Sequence, residues 1–189
     1  MARTGSTLRL ALIRGINVGG RKPVAMADLR AMLERMGFGR VRSLLQTGNL
    51  VFEAGAGSRQ QLEGRLEAEA EKRLGLRAAF FVRGAAEWGS LVSANPFAEE
   101  ARRDPGRLVV LLLKRPPVPA SIEALRAAIT GREQIRVHGD HAYAVYPDGQ
   151  GRSRLTNALI EKALATRATA RNWNTVLKLA ALASGPPTD

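Results

Sequence analysis

The chain has 189 residues, of which 45% are hydrophobic and 24% charged, with 19 glycines and 9 prolines. That composition fits one compact domain or two small ones and excludes a disordered or fibrous chain. The longest apolar run, Leu108 to Leu113, is far short of the roughly 20 residues that span a membrane, so no membrane partner is expected.

In chain order, Leu8 to Ile13 reads as a strand and ends at the glycine-rich Arg14-Gly15-Ile16-Asn17-Val18-Gly19-Gly20. Leu29, Met32, Leu33 and Met36 then repeat at helical spacing, with Gly37 placed as a C-terminal cap. Val41 to Leu45 and Leu50 to Phe52 read as strands around Gln46-Thr47-Gly48-Asn49. Leu62, Leu66, Ala70 and Leu74 mark a second helix that stops at Gly75, and Ala78 to Val82 is a short strand. The order β-α-β-β-α-β is that of a ferredoxin-like unit. A short helix through Trp88 and Leu91, then a charged loop ending at Asp104-Pro105-Gly106, reads as a connection.

The wholly apolar Leu108 to Leu113 is expected to be a strand buried on both faces. Pro116-Pro117-Val118-Pro119 leads into a helix at 121–129, and Glu133 to His138 with Ala142 to Tyr146 forms a hairpin turning at Gly139-Asp140. Two helices close the chain, one through Leu155, Leu159 and Leu164, the other through Trp173, Val176 and Leu177. The expected fold class is therefore α+β, with two related ferredoxin-like subdomains produced by structural duplication. The subdomains are placed at 1–84 and 107–189, joined by the helical connection 85–106.

The net charge is +12, from 24 arginines and 5 lysines against 17 acidic residues. Residues 1–94 hold 15 basic and 8 acidic side chains, and residues 95–189 hold 14 and 9. A nucleic-acid reader concentrates its charge on one face; this even spread makes nucleic acid a partner to consider and not the favoured one. Cysteine is absent, which removes disulfides, thiol nucleophiles and cysteine metal sites. The first residues resemble no signal-peptide core, so a cytoplasmic location is expected.

Four segments concentrate Gly, Asn and Arg at the ends of elements. In the first, Arg14, Asn17, Gly19, Gly20 and Lys22 offer charge and backbone amides beside a helix start, which attracts anions. Its spacing approaches a phosphate-binding loop, but Arg21 and Lys22 stand where the lysine and the magnesium-binding hydroxyl belong. In the second, Gln46 and Asn49 bracket a tight hairpin turn. In the third, Ser153 reads as a helix N-cap flanked by Arg152 and Arg154, cations that oppose the helix dipole unless an anion lies between them. The fourth is Arg171-Asn172-Trp173-Asn174, where an asparagine caps the last helix and Trp173 packs beneath it. Each segment also has a purely structural reading as a turn or cap.

No nucleophile–base pair is visible in these segments, so whether the protein is an enzyme is left open. His138-Gly139-Asp140-His141 straddles a turn from which alternate side chains should diverge, and no metal or other cofactor is expected.

Taken together, Leu12-Ile13-Arg14-Gly15-Ile16-Asn17-Val18-Gly19-Gly20, Gln46-Thr47-Gly48-Asn49-Leu50-Val51-Phe52, Ala94-Asn95-Pro96-Phe97, Tyr146-Pro147-Asp148-Gly149 with Gly151-Arg152-Ser153, and Ala170-Arg171-Asn172-Trp173-Asn174-Thr175-Val176 resemble a bacterial family catalogued as domain of unknown function 1697. The resemblance implies an α+β fold of two related subdomains and carries no established activity. The favoured expectation is a small ligand bearing phosphate or carboxylate, a nucleotide among the options, held in a cleft between the halves. The alternatives are a nucleic-acid binder, a protein-interaction module, and an enzyme using arginine and amide electrostatics with Asp148, Glu161 or His141 recruited for catalysis.

Overall fold

The computed structural model describes residues 7–16 and 23–184. The chain divides into two compact units, Met1–Val92 with Lys178–Asp189, and Ser93–Leu177.

The first unit contains β1 (Thr7–Ile13), α1 (Met26–Arg35), β2 (Gly39–Leu44), β3 (Asn49–Ala54), α2 (Arg59–Leu74), β4 (Phe80–Gly84) and most of α3 (Ala85–Ser93). Its strands form one antiparallel sheet in the order β2-β3-β1-β4. Alternation along the strands sends Ala11, Ile13, Leu50, Phe52, Phe80 and Val82 to one face, where Leu29, Met32, Leu33, Leu62 and Leu66 cover them. Each such leucine or phenylalanine contributes about 1.5–3 kcal/mol by leaving water. The helix α2 stops at Gly75, as the sequence predicts, and it starts on a reciprocal cap between Ser58 and Gln61.

In the second unit lie α4 (Ala98–Arg103), β5 (Leu108–Leu113), α5 (Pro119–Ala127), β6 (Gln134–His138), β7 (His141–Val145), α6 (Asn157–Leu164) and β8 (Ala168–Asn172), followed by α7 (Trp173–Ser184), which begins here. The antiparallel order is β6-β7-β5-β8. All six residues of β5 are buried. The architecture is thus mixed α+β, with two four-stranded antiparallel sheets, each carrying helices.

Three local expectations need correction. The charged loop before Asp104 holds the helix α4, whose Glu99 and Glu100 lie in the first turn and Arg102 and Arg103 in the last, an arrangement that suits the dipole. Residues 168–172 form an eighth strand where the sequence predicts none, because Ala168-Thr169-Ala170-Arg171-Asn172 has little apolar signal. Finally, α6 is capped by Thr156, whose Oγ1 accepts the Leu159 N–H at 3.2 Å, not by Ser153.

The two sheets repeat each other bond for bond at the end of their central strands. Ile13 N–H donates to Gly48 O at 2.8 Å and Arg14 N–H to Ala79 O at 2.9 Å. In the second sheet, Leu113 N–H donates to Asp140 O at 2.8 Å and Lys114 N–H to Arg167 O at 3.0 Å. The outer edges are sealed alike: Phe80, opposite Ile13, donates its N–H to Glu67 Oε1 at 2.9 Å, and Ala168, opposite Leu113, donates to Glu161 Oε1 at 2.8 Å.

Candidate functional site

Arg14 and Gln46 are exposed at one end of the first sheet, on segments that the Ile13–Gly48 backbone bond joins. Asn17, Gly19, Gly20 and Lys22 lie outside the described residues. The Gln46–Asn49 turn is built by packing. Gly48 has φ +75, and a Cβ there would lie 2.9 Å from Ile13 Cβ and 2.9 Å from Ile16 Cδ1, so only glycine fits. Asn49 is fully buried and donates through Nδ2 to Leu44 O and Thr47 Oγ1, both at 3.0 Å, tying the hairpin shut.

In the fourth segment several hydrogen bonds join near neighbours. Asn172 Oδ1 accepts the Thr175 N–H at 3.0 Å and caps α7, while Trp173 is buried and Asn174 exposed. Arg171 donates through Nη1 to Ala170 O at 2.8 Å and to Thr169 Oγ1 at 3.1 Å. Burial pushes its guanidinium down to about 10.

The third segment leads to a group of arginines that sequence spacing does not reveal. The Tyr146-Pro147-Asp148-Gly149 turn is closed by Gly149 N–H to Tyr146 O at 2.9 Å and anchored by Tyr146 N–H to Arg107 O at 2.9 Å. The buried Tyr146 hydroxyl donates to Leu155 O at 3.2 Å, and burial, with a smaller effect from Glu133, pushes its phenol up to about 12. Arg107 reaches Pro147 O with Nη1 at 2.8 Å and Asp104 with Nε at 3.2 Å. Arg132 forks onto Asp148, Nε to Oδ2 at 3.2 Å and Nη2 to Oδ1.

One arginine therefore pairs with this carboxylate, and two more act on it through their charge. The hydrogen bond from Arg132, and then the charges of Arg132, Arg107 and Arg152, hold Asp148 below the usual carboxylate range. Beside this turn lies an open groove of about 290 Å³ lined by Arg103, Arg107, Asp104, Glu100, Gln134 and Pro147. Arg152 and Arg154 are exposed, whereas Ser153 is engaged: its hydroxyl accepts the Leu155 N–H at 2.9 Å and donates to Glu133. Arg107 and Arg132 were missed in the sequence because they reach the turn from 40 and 16 residues away.

His138 and His141 also depart from expectation. They face each other across the register of β6 and β7, so their side chains share a face, with rings 5.3 Å apart. His141 Nε2 lies 3.3 Å from the Tyr143 hydroxyl and Nδ1 lies 3.7 Å from Asp140. Among the described residues, no three His, Asp or Glu side chains converge in a metal-binding group.

Two such α+β units, with motif residues at strand ends and turns, define a class of protein by fold and not by chemistry. The family whose sequence profile matches residues 7–143 is described as Protein of unknown function (DUF1697), and the chain belongs to it. The fold is shared with a solved structure, conserved bacterial protein SP0830 from Streptococcus pneumoniae, at a TM-score of 0.75 and 22% identity, over 95% of this chain and 100% of that one. No curated protein matches the chain. Among the described residues, no helix is long and apolar enough to cross a membrane.

Proposed function

We propose that the protein binds a small anionic ligand bearing phosphate or carboxylate, and that its two units are duplicated ferredoxin-like modules of which the second carries the arginine site. The observation that carries the binding reading is the convergence of Arg107, Arg132 and Arg152 on the Asp148 turn. Guanidinium forks suit planar, bidentate recognition of oxyanions better than ammonium groups do. The groove that Arg107 and Pro147 help to line leaves room for the body of a ligand. Support for duplication comes from the shared strand order and the matching hydrogen bonds of the two sheets. The absence of cysteine agrees with a reducing, cytoplasmic setting.

The test is calorimetric titration of the intact chain with pyrophosphate. Loss of one charge-assisted contact in Arg152→Ala should weaken binding about tenfold or more. Unchanged affinity in Arg152→Ala, or no binding by the unaltered chain, would overturn the reading. Affinity confined to oligonucleotides and collapsing with salt would replace it with general polyanion binding.

A further inference from the structure

The arginine site of the second unit already contains an anion, and it belongs to the protein. Arg132 holds both oxygens of Asp148, one on Nε and one on Nη2, the arrangement it would use for an external carboxylate or phosphate edge. Backbone bonds through Tyr146 and Gly149, together with the Arg107–Pro147 contact, fix the turn that presents Asp148. The two side chains themselves are 72% and 61% exposed, so the pair forms in water and is readily exchanged.

We infer that Asp148 is a tethered competitor for the site, one that selects phosphate-bearing ligands over simple carboxylates. This inference rests on the binding reading above. A free monocarboxylate offers Arg132 nothing that Asp148 does not, and Asp148 has the advantage of being attached. A phosphate dianion differs in two ways. It carries more charge toward the three arginines, and it has a third oxygen to turn toward Arg107 or Arg152 while two remain on Arg132. The other acidic groups near the turn do not take this role, since Asp104 is paired with Arg107 and Glu133 accepts from Ser153.

The experiment compares pyrophosphate, inorganic phosphate and acetate on the unaltered chain, on Asp148→Asn and on Arg152→Ala, by calorimetric titration. Removing the competing charge in Asp148→Asn should tighten pyrophosphate binding by up to about fivefold, the equivalent of one exposed ion pair. Acetate should bind Asp148→Asn measurably better than it binds the unaltered chain. Asp148→Ala, which also removes the residual amide contact with Arg132, should tighten binding at least as much, and melting without ligand shows whether each variant is folded. Equal or weaker pyrophosphate binding in both folded variants would overturn the inference. If Arg152→Ala still weakens binding in that case, the site stands and only the competitor falls; if it does not, both readings fall together.

Discussion

Arg83 and Arg171 occupy the same place in two different sheets. Arg83 lies opposite Leu10 and donates through Nη1 to Val82 O at 2.8 Å; Arg171 lies opposite Val110 and donates through Nη1 to Ala170 O at 2.8 Å. The rows continue across the strands, as Arg42-Val51-Leu10-Arg83 in one sheet and Arg136-Tyr143-Val110-Arg171 in the other. Each of these outer arginines donates to a backbone carbonyl: Arg42 to Leu182 O and Arg136 to Ile135 O complete the set.

Arg171 is therefore a strand-edge residue whatever else it touches. Arg171→Ala leaves the Ala170 carbonyl without that donor and should lower stability by about 1–3 kcal/mol. Thermal unfolding checks it, and pyrophosphate affinity in the same variant should stay within error of the unaltered chain.

The glutamates that cap the outer strands should behave as a matched pair. Glu67→Ala and Glu161→Ala each strip the acceptor from one N–H, of Phe80 and of Ala168, at an expected loss of about 1–3 kcal/mol. A loss at one position alone, measured by denaturant unfolding, would break the proposed equivalence of the units.

Two residues of one hairpin turn should respond in opposite directions. Gly48→Ala meets both a positive φ and side-chain atoms at 2.9 Å, and should destabilise by about 2 kcal/mol or more. Leu45 has φ +60 and is 49% exposed, so Leu45→Asn should gain up to about 1 kcal/mol by relieving the left-handed strain. Paired melting curves of the two variants provide the check.

Both tyrosines of the chain, Tyr143 and Tyr146, are pushed by burial from 10.0 to about 12. An acid raised in the folded state keeps its proton there longer than in the unfolded chain. The stability it confers is complete below pH 10.0 and falls as pH climbs toward 12. Tyrosinate absorbance should therefore be nearly absent just above pH 10.0 in the folded protein and appear with unfolding. A full tyrosinate signal from protein still folded at that pH would contradict the burial of these rings.

The cap of α6 tests a local point. Thr156→Ala should cost about 1 kcal/mol in thermal unfolding, because Thr156 and not Ser153 receives the helix N–H.

Much of the fold was legible because its signals are local. Helical spacing in Leu62-Leu66-Ala70, the stop at Gly75 and the apolar run Leu108–Leu113 each depend on near neighbours. What escaped depends on pairing across the chain. The short strand β8 earns its place by lying against β5, and its own residues signal it weakly. Spacing along the chain points His138 and His141 apart, and only the pairing of β6 with β7 brings them onto one face. The arginines around Asp148 converge only after β5, β6 and β7 have assembled, which no spacing near Asp148 encodes. Ser153 had the chemistry of a cap, but its hydroxyl is turned toward Glu133 and the next turn of backbone.

The carboxylates of α2 and α3 that face β4 bear on how the protein behaves in crowded surroundings. Glu63, Glu67 and Glu87 accept the N–H groups of Val82, Phe80 and Gly84, so a stray strand finds these donors taken. Glu87→Ala should therefore free the Gly84 N–H for a second copy of the chain and raise self-association, which light scattering of the folded variant would show.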